Sequence, residues 1–144
     1  MKNKFIIWSM IMSIVSLNGT ELNIRVDNID TKKGGNLSVY IFGKNGYPKV
    51  HKDALLHQII KVEKNSENFI FEIDNNIKDL SIKVHHDENS DGKVSKNWTG
   101  IYPKEGLGFS KKQEVAMFGP PNYEASKLTL EEFQEKINIS LIYP

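Results

Sequence analysis

The chain has no cysteine. No disulfide ties it together, and no thiolate is available as nucleophile, zinc ligand or lipid attachment point. It also lacks a charge bias. Leaving out Lys2 and Lys4, the 19 bases become 17 against 18 acids, and residues 1–19 hold no acid. A nearly neutral chain has no basic field to hold nucleic acid. The uncharged run Phe5–Leu17 is shorter than the roughly 20 residues of a membrane-spanning helix. No phosphate-cradling glycine loop, dinucleotide fingerprint, Gly-x-Ser-x-Gly elbow or catalytic triad stands out. Long helical periodicity, internal repeats and low-complexity linkers are missing as well.

What remains is a chain of 144 residues, 39% hydrophobic, enough for one domain with its own core. Its start reads as a secretory signal. Met1–Lys4 is basic, Phe5–Leu17 is the apolar centre, and Asn18-Gly19-Thr20 is small and polar. The expected division is a signal peptide over residues 1–19 and a single domain over 20–144. The expected location is therefore the periplasm or the exterior, with no stable membrane insertion after cleavage.

From residue 20 onward apolar residues alternate with polar ones, the period of a strand with one buried face. Leu22, Ile24 and Val26 form one such set, and Phe69, Phe71 and Ile73 another. Leu80, Ile82 and Val84 form a third, and Ile139 and Leu141 belong to a last one. Leu37, Val39 and Ile41 alternate with Ser38, Tyr40 and Phe42, so both faces are partly apolar and the strand is central. Further strands are expected over 55–63, 113–118 and 126–130, with one helical turn over 131–135. About seven strands joined by turn signals predict an all-β fold, a single antiparallel β-sandwich.

The densest run of carboxylates, amides and glycines is His85–Ser110, expected to form one long ordered loop over 86–110. Asp87, Asn89 and Asp91 place oxygen side chains at alternate positions, and Gly92 permits a sharp turn. A hard cation such as Ca²⁺ takes oxygens from such a turn, and the Lys93 carbonyl could follow as a backbone ligand. A helix-flanked calcium loop would put a glutamate eleven residues after Asp87, where Trp98 stands. Glu105 is the substitute carboxylate. The candidate metal set is therefore Asp87, Asn89, Asp91, Lys93 and Glu105. The same residues equally suit a solvated turn without an ion. His85 and His86 are adjacent on a strand and face opposite ways, with His86 continuing the apolar face as a buried, hydrogen-bonded histidine. Trp98, Tyr102 and Phe109 could form an aromatic platform or a small core of the loop itself.

His86-Asp87-Glu88-Asn89, Asp91-Gly92-Lys93, Gly100-Ile101, Pro103–Gly106, Gly108-Phe109-Ser110 and Gly119-Pro120-Pro121 with Tyr123 follow one another in an unusual order. In these residues the chain resembles DUF2141, a bacterial family of exported proteins without an established function. Weaker similarity covers an opening strand, Gly35–Val39 and a closing strand ending in Tyr143. The resemblance implies a β-sandwich of the transthyretin or prealbumin, Ig-like kind, and no activity. Two departures stand out. Ile77–Ser81 replaces the family's Leu-Pro-x-Gly-x-Tyr turn, and Ser95 replaces an aspartate frequent two residues after Lys93.

The resulting expectation is a non-enzymatic binding or structural module of the bacterial envelope, displaying the acidic loop, with Ca²⁺ as its cofactor. Its partner would be an envelope protein or a glycan. The alternative is a periplasmic hydrolase using His86 or Glu105 as base.

Overall fold

The computed structural model describes residues 19–144. The leader expected over 1–19 lies outside the described residues, apart from Gly19, which opens the first strand.

The elements in chain order are β1 (Gly19–Asp27), β2 (Asn36–Phe42), β3 (Leu56–Lys61), β4 (Glu67–Asp74), β5 (Asp79–Asp87), β6 (Leu107–Phe109), α1 (Tyr123–Ser126), β7 (Leu128–Thr129), α2 (Leu130–Gln134) and β8 (Ile137–Ser140). They form an all-β sandwich. One sheet has the order β4-β1-β8 and the other β3-β2-β5-β6, with β7 paired to the start of β5. The ladders are antiparallel except β1–β8, which is parallel from Ile24↔Ile137 to Asp27↔Ser140. That pairing departs from a purely antiparallel sandwich: the last strand returns alongside the first in the same direction.

The alternation sets the register. With Leu22 opposite Phe71 and Ile24 opposite Phe69, the apolar residues of β1 and β4 share one face. Those of β2 and β5 meet likewise, Val39 opposite Val84 and Ile41 opposite Ile82. The two faces close on each other, and each of the alternating apolar residues named above lies in the resulting core. Phe133 of α2 is fully buried there as well.

Three segments differ from the sequence reading. The long loop is shorter than 86–110, because β5 runs to Asp87 and Leu107–Phe109 forms β6, leaving residues 88–106 between them. Residues 113–118 form no strand; Ala116 and Gly119 make a single bridge around a turn. Tyr123–Ser126 is a helical turn capped by the Asn122 side chain, so the strand expected over 126–130 shrinks to two residues.

β2 and β5 are buried on both faces. One face meets the core. The other carries Ser38, Tyr40, Lys83, His85 and Asp87, all buried, although outward polar residues of a two-layer sandwich ordinarily meet water. Gly35, at φ +73, allows the turn before β2 to pass against the backbone of Asp87 and Glu88, where a side chain would collide.

Candidate functional site

Lys83, His85 and Asp87 are alternate residues of β5, so the pleat puts them on one face. Opposite stands His51, stacked on the Tyr40 ring with centroids 4.2 Å apart. The Lys83 ammonium donates to the Pro48 carbonyl and to Nε2 of His51, both at 2.8 Å. With Nε2 accepting, the His51 proton sits on Nδ1 and donates to the Gly92 carbonyl at 3.3 Å. A line of contacts therefore runs from the central strand through His51 to the acidic turn. Burial pushes Lys83 down to about 8. Burial and the neighbouring Lys83 charge push His51 down to about 4, which keeps the ring neutral.

The acidic turn is built from side-chain acceptors on backbone donors. Asp87 accepts from the Gly92 N–H at 2.7 Å and the Asp91 N–H at 3.2 Å. Asn89 accepts from the Asp91 N–H at 3.4 Å and donates to the Asp91 carboxylate at 3.2 Å. Asp91 accepts from the Lys93 N–H at 2.8 Å, which holds its carboxyl below the usual range. Gly92 has φ +76, the left-handed conformation that the turn requires.

Glu105 closes the far end of the loop. It accepts from the N–H groups of Ser95 and Glu88, both at 2.7 Å, and from Nε2 of His85 at 3.0 Å. Burial alone would raise its pKa, but these donors outweigh burial and leave the carboxyl below its ordinary value. Burial lowers His85, and that keeps the ring neutral. Its Nε2 carries the proton, and among the described residues its Nδ1 is buried without a partner.

Of the five residues expected to ligate a metal, Asp87 and Glu105 converge, and with His85 they place one potential ligand atom each within 4.8 Å of one another. Asn89 and Asp91 sit on the exposed rim, and Lys93 is exposed beside them. His86 faces the core side, with Nδ1 on the Tyr143 hydroxyl at 2.7 Å and Nε2 on the Gly34 carbonyl at 2.6 Å. The three aromatics do not form a platform: Trp98 is 94% exposed and Phe109 only 3%. Sequence reasoning missed Lys83, His51 and the role of His85. The available signal was the series Lys83, His85, Asp87 on the second face of a strand whose first face is apolar.

Beside this cluster lies an open cavity of about 710 Å³. Its walls come from three loops, around Val50, Val94 and Phe118, and β6 contributes Leu107 and Phe109. Among the described residues Lys49, Lys83, Lys93 and Lys96 line it, and no Asp or Glu does.

The model of the family described as "Uncharacterized protein conserved in bacteria" (DUF2141) matches residues 24–138. The chain belongs to that family. No curated protein and no solved structure matches the chain. In this DUF2141 chain the matched region spans the acidic turn, Glu105 and all four cavity lysines. No helix among the described residues is long and apolar enough to cross a membrane.

Proposed function

We propose that this DUF2141 chain is an exported, non-enzymatic binding module of the bacterial envelope. The observation that carries the reading is the cavity of about 710 Å³ beside the acidic loop. Its size is that of a small-molecule site, and its apolar lining with few polar groups is the usual composition of one. The ligand is an envelope component, either a free small molecule or part of a protein or glycan partner. Export is supported by the basic start and the short apolar run of residues 1–19.

Calcium belongs to the proposal as the ion that holds the loop. Asp87, Asn89, Asp91, the Lys93 carbonyl and Glu105 offer oxygens only, the donor type a hard cation takes. Asp87 and Glu105 are both buried and close together, and His85 beside them is neutral. An ion there would tie Asp87 at the end of β5 to Glu105 at the far end of the loop.

The non-enzymatic reading draws on the state of the two candidate bases. Both ring nitrogens of His86 are engaged, and neither His86 nor Glu105 lines the cavity. A general base needs a free lone pair within reach of a substrate proton.

The test is titration of the purified protein with N-phenylnaphthylamine, a neutral dye that fluoresces in apolar sites. Saturable, stoichiometric enhancement is expected. A signal that never saturates, or none, would remove the binding reading.

A further inference from the structure

The cavity's lining says what kind of molecule it takes. Its apolar surface comes from Val50, Val94, Ile101, Leu107, Phe109 and Phe118. Among the described residues its only ionisable groups besides His51 are four lysines, and none of the four stands in an ion pair. Three of them, Lys49, Lys93 and Lys96, are exposed at the mouth.

Lys83 is different. It is only 4% exposed. A buried ammonium ordinarily has a carboxylate partner, because leaving the charge uncompensated is expensive. Lys83 has a carbonyl and a neutral imidazole instead, both uncharged acceptors. These occupy two of its three N–H donors, and among the described residues the third has no acceptor. The buried positive charge at the cavity wall thus lacks its counter-ion.

Building on the cavity reading above, we propose that the ligand is a small amphipathic carboxylate, its head on Lys83 and its apolar body along β6 and the loop carrying Phe118. The carboxylate supplies the missing counter-charge and accepts the remaining Lys83 proton. His51 positions the ammonium: its Nε2 accepts while its Nδ1–H is fixed on Gly92. The exposed lysines add attraction at the mouth, where solvent screens them and their effect depends on salt. A cationic amphiphile of the same length meets like charge at each of these four points.

The experiment is displacement of bound N-phenylnaphthylamine by three amphiphiles with the same ten-carbon chain: decanoate, decanol and decyltrimethylammonium. Decanoate should displace the dye at a concentration about tenfold below that of decyltrimethylammonium, the scale of one charge-assisted hydrogen bond, with decanol between them. Lys83→Met should remove that preference. The double variant Lys49→Ala/Lys96→Ala keeps the buried site intact, so it should retain most of the preference and lose most of its salt dependence. It serves also where Lys83→Met does not fold. Equal displacement by the three compounds overturns this inference and leaves the cavity reading standing. So does a preference that survives Lys83→Met, or one that vanishes in the double variant. No dye binding at all overturns both.

Discussion

The Nε2–H of His85 donates to Oε1 of Glu105 across 3.0 Å, with both side chains buried. This bond joins the end of β5 to the far end of the loop over 88–106, and the same carboxylate holds the amides of Ser95 and Glu88. One side chain therefore fixes the loop at both ends and in its middle.

Glu105→Ala should cost roughly 3 kcal/mol, because it leaves two amides and an imidazole N–H without an acceptor. Urea unfolding measures the loss. Hydrogen exchange at Ser95 and Glu88 should accelerate, while exchange in β1 should not. A cost below about 0.5 kcal/mol would place the loop's anchor elsewhere.

Calcium should raise the melting temperature. Affinity should be on the order of 10⁻⁴–10⁻³ M, the range of extracellular modules, since Asn89 and Asp91 sit on the exposed rim rather than with Asp87 and Glu105. At about ten times the dissociation constant the gain is about 1.4 kcal/mol. Magnesium should do much less, and Asp87→Ala should abolish the rise. Scanning calorimetry with each ion decides the matter. An equal rise in Asp87→Ala would move the ion away from this turn.

Lys83 gives a pH dependence with a defined sign. Its folded value is about 8, against an ordinary 10.5. Between those values the unfolded chain holds a proton that the folded chain has shed, so stability rises with pH. The destabilisation from burying charged Lys83 is fully present below about pH 8 and lifts as pH approaches 10.5. Relative to Lys83→Met, the wild-type protein should gain up to roughly 3 kcal/mol across that window. Urea midpoints of the two proteins at several pH values supply the measurement. A constant difference would mean that Lys83 titrates as an exposed lysine does.

The sequence made the core legible and the site only partly so. β1, β2, β4 and β5 were readable because one face of each is apolar at every second residue, and burial follows that face. β6 was not, since Leu107-Gly108-Phe109 is too short to show alternation and lies in a glycine-rich stretch. The apolar residues Val115, Met117 and Phe118 suggested a strand, but they belong to a loop that borders the cavity. The parallel β1–β8 pairing is a tertiary property with no local signature. In the site, Asp87 and Glu105 stood out by residue type. Lys83, His85 and His51 did not, because a polar residue facing outward from a strand normally meets water. Only the covering loops, unseen in the sequence pattern, turn that face into an interior.

The most direct test of the account is amide chemical-shift mapping on the purified, isotope-labelled protein as N-phenylnaphthylamine is added. The account predicts shifts concentrated at Lys49–His51, Gly92–Lys96, Leu107–Phe109 and Val115–Gly119, the segments around the cavity, with the amides of β1, β4 and β8 unmoved. Shifts centred on those strands, or spread evenly over the surface, would contradict it.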